Sequence, residues 1–136
     1  MEEVKLHTGT RIKLKQYDER QLPAGFLARL REFAHQDTRI QAVYVFAVQP
    51  DDQPPQPSMA IALKSSLFDR RDEGFLQIVD EIQLMLPDEL SLNLYRFGAS
   101  DLLARYCVDS VEPVYLRSAA WVDKQRKRLA KASRSP

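Results

Sequence analysis

Apolar positions along this chain recur at two spacings, every second residue and every third to fourth. The switches between them mark out its elements. Arg11-Ile12-Lys13-Leu14-Lys15 alternates basic and apolar side chains and reads as a strand with one solvated face. Leu22, Phe26, Leu30, Phe33 and Ala34 recur at helical spacing, which predicts an amphipathic helix over 22–35. Residues 42–48, AVYVFAV, are β-branched and aromatic, as a strand requires. Pro54-Pro55-Gln56-Pro57 is expected to break the sheet, because proline has no N–H to give, before 59–63 returns as a further strand. The pair forms an antiparallel hairpin with a long loop at 49–57. Asp69 with Asp72 resembles a capping-box start. The stripe Phe75, Ile78, Val79, Ile82, Met85 and Leu86 then gives the clearest helix, which Pro87 stops. Leu90, Leu92 and Leu94 alternate with Ser91, Asn93 and Tyr95, a fourth strand. Ser100 can cap a short helix running to Cys107. Residues 111–116 form a short extended piece, and 118–132 a tail helix with a sparse stripe of Trp121, Val122 and Leu129.

The predicted order is β-α-β-β-α-β, plus a short helix and a tail helix. It is the split βαβ, ferredoxin-like order. It implies an α+β domain over 1–117, a four-stranded antiparallel sheet with two helices on one face, followed by a basic tail at 118–136. The strand at 42–48 is apolar on both faces, with Val43, Val45 and Ala47 on one and Tyr44, Phe46 and Val48 on the other. Helices on one face alone leave the second set uncovered, and an apolar area of that size marks an interface. Two covers are open: the C-terminal segment, through Trp121, Val122 and Leu129, or a protein partner or second copy. For the second, Tyr44, Phe46, Tyr95, Phe97 and Trp121 are the candidate partner-binding residues, since aromatics anchor interfaces.

Composition narrows the class. At 136 residues with 44% hydrophobic and 29% charged side chains, the chain suits one globular domain. No stretch approaches the ~18 uncharged apolar residues of a membrane span. Met1-Glu2-Glu3-Val4-Lys5 lacks the features of a signal peptide. Cys107 is the only cysteine, so no internal disulfide can form and a reducing cytoplasm is the expected compartment. The net charge of +1 hides an asymmetry. Residues 118–136 hold six Lys/Arg and one Asp, a charge of +5, and the remainder holds 14 Lys/Arg and 18 Asp/Glu, a charge of −4. A basic tail raises sequence-independent attraction to nucleic acid.

The residues give little sign of catalysis, cofactor or metal. His7 and His35 lie in different segments, His35 where a helix ends and its dipole favours positive charge. Cys107 reads as a small hydrophobe. Asp51-Asp52 sits in a proline-rich loop. Asp69, Asp72 and Glu73 stand at a helix start, where acids belong for dipole reasons. The four glycines are isolated, so no phosphate-binding glycine loop can be built. RRM domains share the element order, but the strands expected at the centre, 11–15 and 59–63, carry no stacking aromatic. Amino-acid-binding domains of the ACT type share it too, by analogy of fold.

Four pieces in consistent order resemble a known family: Gly9-Thr10-Arg11-Ile12-Lys13-Leu14, then Ile40-Gln41-Ala42-Val43-Tyr44-Val45, then the hairpin into Met59-Ala60-Ile61-Ala62-Leu63, and last Glu112-Pro113-Val114-Tyr115-Leu116-Arg117. Together, over roughly 9–117, they resemble the C-terminal domain of the SseB (enhanced serine sensitivity) proteins of bacteria. Two departures are expected: the family's usual N-terminal domain has no counterpart here, and the basic tail lies outside the pattern. The resemblance brings no catalytic residues with it. It implies a non-enzymatic cytoplasmic interaction or regulatory module. Amino-acid (serine) sensing and weak nucleic-acid binding through the tail are the alternatives.

Overall fold

The chain folds as α+β, a mixed sheet between two layers of helices; the computed structural model describes residues 2–7, 10–50, 53–64, 73–88, 90 and 92–134. Strands β1 (Glu2–His7) and β2 (Thr10–Lys15) form a hairpin. A 3₁₀ turn, Glu19–Gln21, leads to helix α1 (Phe26–Gln36). Strands β3 (Ile40–Pro50) and β4 (Gln56–Leu63) make the predicted antiparallel hairpin. Helix α2 (Glu73–Leu84) crosses to β5 (Asn93–Arg96). A 3₁₀ turn, Phe97–Ala99, leads to α3 (Asp101–Ser110), β6 (Tyr115–Leu116) and α4 (Ala119–Arg134).

The sheet order is β1-β2-β3-β4-β5, with β6 also on β3. This corrects the four-stranded antiparallel, ferredoxin-like expectation in two ways. The N-terminal residues form a strand that the sequence reading missed, and β1 occupies the edge of β2. The strand after α2 lies parallel to β4, with Met59 opposite Leu94 and Ile61 opposite Arg96. A helical crossover returns the chain in the same direction, so β4-α2-β5 is a βαβ unit. The central strand is therefore β3, shared on one edge by β2, at Ala47–Pro50, and by β6, at Ala42–Val43.

The prolines interrupt the sheet less than expected. Pro57 pairs opposite Ala47 and Pro50 opposite Ile12, each near a strand end, where a missing N–H costs least. Helix α1 starts four residues later than its apolar spacing suggested. Pro23-Ala24-Gly25 turns there with Gly25 at φ 81°, a left-handed conformation that glycine adopts without strain. Leu22 is still buried, from the preceding turn. Ser100 caps α3, its Oγ accepting from the Leu103 N–H at 3.4 Å. Asp51-Asp52, the Asp69 and Asp72 helix start, and Ser91 lie outside the described residues.

Two cores result. Val43, Val45, Met59 and Ile61 face α1 and α2 and pack with Phe26, Leu30, Ile78 and Ile82. Ala42, Tyr44, Phe46 and Val48 face the other way, onto Leu103, Tyr106, Cys107 and Leu129 of α3 and α4. The chain thus covers the second face of its own sheet.

Candidate functional site

Of the five aromatic residues expected at a partner surface, three are buried and two half-buried. Tyr44 is 1% exposed, Phe46 fully buried and Phe97 4% exposed, with Tyr95 and Trp121 half-buried against the same core. The Trp121 ring centroid lies 5.0 Å from that of Phe97 and 6.4 Å from that of Tyr44, both pairs tilted, while Phe46 meets Tyr95 and Tyr106. Of the two covers left open for this face, the structure gives the first: α3 and α4 supply it, with Trp121, Val122 and Leu129 on the inner face of α4. Aromatics do stand on the central strand, as an RRM platform needs, but they are roofed by helices.

The candidate reactive groups remain apart. His35 is exposed in the last turn of α1. Cys107 is fully buried, and burial pushes its thiol well above the ordinary value, opposite to what a nucleophile needs. His7 is in β1, and its side chain lies outside the described residues. Among the described residues no group of His, Cys, Asp and Glu is placed to hold a metal ion. No helix among them is long and apolar enough to cross a membrane.

The segment 112–117 acts through architecture. Val114 N–H donates to the Val43 carbonyl and Arg117 N–H to that of Gln41, which docks β6 on β3. The Arg117 guanidinium then closes the end of α1. Its Nη2 donates to the carbonyls of Ala34 (2.8 Å), Asp37 (3.0 Å) and His35 (3.3 Å), and its Nε to that of Ile40 (2.9 Å). Arg31 Nε donates to the Val114 carbonyl at 2.8 Å, from the helix back to the strand. The last carbonyls of a helix lack partners within it, and a cation there also meets the negative dipole end. Asp37 beside it is held below the usual carboxylate range, chiefly by hydrogen bonds from Arg39, with the Arg117 charge adding to the effect.

What the fold brings together, and the sequence reading did not single out, is a basic cleft of about 420 Å³. It opens where β3 begins and where β4 and β5 end. Its cations are Lys64 from the end of β4, Arg96 from the end of β5 and Arg128 from α4. Gln41 and Gln125 add amides, and Trp121 forms part of the wall. Arg128 is braced, its Nε donating to Gln125 Oε1 at 3.2 Å and its Nη1 lying 3.6 Å from Asp101. The cleft lies at the carboxyl ends of two parallel strands, where open sheets with helical crossovers place ligands. The only sequence signal was a cation directly after each of two predicted strands, Lys64 and Arg96, which has no meaning until the strands are paired.

The basic tail is less of a free arm than its charge suggested. Arg126 Nη2 donates to the Val108 carbonyl at 2.9 Å and its Nε lies 3.7 Å from Asp109, so two tail arginines are engaged by α3.

The SseB protein C-terminal domain model matches residues 6–117, in agreement with the four resembling pieces. The chain belongs to that family. No curated protein sequence and no solved structure matches it. Helix α4 begins just beyond the SseB-type match, yet it supplies the roof of the second core and one wall of the cleft.

Proposed function

We propose that this SseB C-terminal domain is a non-enzymatic interaction or regulatory module whose working site is the basic cleft. The observation that carries this is the character of the lining. Three cations, two amides and an indole converge from separate elements, and among the described residues that line the cleft none is a carboxylate, thiol, imidazole or hydroxyl. Such a set of cations and amides suits the holding of an anion. The buried, elevated Cys107 thiol supports the same reading. Serine sensing is the weaker alternative, since the described residues of the lining offer a zwitterion no carboxylate for its ammonium group.

The test compares capture from native lysate by the full chain and by a Lys64→Glu/Arg128→Glu variant, both positions being exposed. Under this reading, quantitative mass spectrometry shows a defined set of proteins lost by the variant while it still unfolds in one cooperative transition. Identical capture by the two chains would remove the cleft from the function.

A further inference from the structure

We infer that the cleft binds a nucleoside phosphate, an anion of at least two charges joined to a flat apolar group. This rests on the cleft being the working site, and names its ligand. Charge comes first. Lys64, Arg96 and Arg128 reach one space from β4, β5 and α4, and no acidic side chain is among the described residues that line it. Guanidinium forks match phosphate oxygens two at a time, and a lysine adds a point charge.

Shape comes second. A cleft of about 420 Å³ exceeds what one inorganic phosphate fills and falls within the range of small-molecule sites. Trp121 is half-buried, one side fixed on Phe97 and Tyr44 and another at the cleft wall. An indole held in this way is a rigid stacking surface, and stacking of a base on an aromatic contributes about 1–3 kcal/mol in other systems. Gln41 and Gln125 each carry both donor and acceptor, suited to a base edge or a ribose hydroxyl. Position comes third: the cleft lies beyond the carboxyl ends of parallel β4 and β5.

Trp121 is the only tryptophan, so the protein reports on its own site. The full chain is titrated with ADP, inorganic pyrophosphate and citrate, followed by tryptophan fluorescence and by calorimetry. The expected result is saturable ADP binding with a change in Trp121 emission, weaker pyrophosphate binding and no citrate binding. Lys64→Gln weakens ADP on the order of tenfold, as loss of one charged hydrogen bond does, with unfolding midpoint unchanged. Arg96→Gln also weakens ADP and serves as the second variant, its folded state checked by circular dichroism. Absence of saturable ADP binding overturns the inference. Equal affinities for ADP and pyrophosphate overturn its nucleoside part, and an unaltered ADP affinity in both variants overturns its location. If ADP fails while capture from lysate still depends on the cleft, the ligand class falls and the interaction module stands.

Discussion

Replacing Arg117 by methionine keeps the length of the stem and removes the fork that closes α1. In the wild type four carbonyls, of Ala34, His35, Asp37 and Ile40, accept from this one side chain. A hydrogen bond to a charged group contributes about 1.5–3 kcal/mol. The four do not add, because Nη2 is divided among three acceptors and the exposed end of the helix rehydrates at His35. The two shortest, to Ala34 at 2.8 Å and Ile40 at 2.9 Å, set the scale. Loss of both, with the helix-end charge, gives about 2–4 kcal/mol. For a chain of this size that is a fall on the order of 10 °C in Tm. Urea and thermal unfolding followed by far-ultraviolet circular dichroism measure it. Arg117→Lys should recover only part, since an ammonium is a point charge that cannot span Ala34 and Ile40 together. A loss below about 0.5 kcal/mol for Arg117→Met, within the range of ordinary surface changes, would refute the reasoning. So would full rescue by lysine.

Removing residues 118–136 strips Trp121 and Leu129 from the second core. The expected result is a large loss of stability with dye binding to exposed apolar surface, and an unchanged melting curve would show α4 to be an appendage. Phe46→Asp puts a carboxylate at a fully buried site and should prevent folding; a folded variant would contradict the burial. Tyr44 Oη is buried with no hydrogen-bond partner among the described residues, so Tyr44→Phe should be neutral or stabilising by up to about 1 kcal/mol in urea unfolding. Cys107 should resist thiol reagents in the native protein and react at the rate of unfolding; rapid labelling without denaturant would disprove its burial. Asp37, depressed in the folded state, adds stability that is present above its unfolded value near 3.8 and lost as pH falls through the lower folded value. Asp37→Asn should therefore flatten the acid limb of the stability curve, checked by urea midpoints across that range.

Local pattern was enough to determine most elements. The alternation in 11–15, the helical spacing of Phe26, Leu30 and Ala34, the β-branched run at 42–48 and the Ser100 cap each depend on neighbours a few residues apart, and each gave the element that forms. The two-faced apolar character of β3 also showed that both sides of the sheet needed cover. Which cover it received was not written in any local stretch. Trp121 is 77 positions from Tyr44, and a sparse stripe on a basic helix looks the same whether it packs or hangs free. Strand order was equally out of reach, because side-chain alternation says which face a residue takes and nothing about which edge finds which partner. The cleft depends on both decisions. Lys64, Arg96 and Arg128 are scattered over 65 positions and became one site only when β5 paired parallel to β4 and α4 lay across the sheet beside them. Burial of apolar area, summed over the whole chain, drove those choices, and the basic cleft formed where the elements it assembled happen to end.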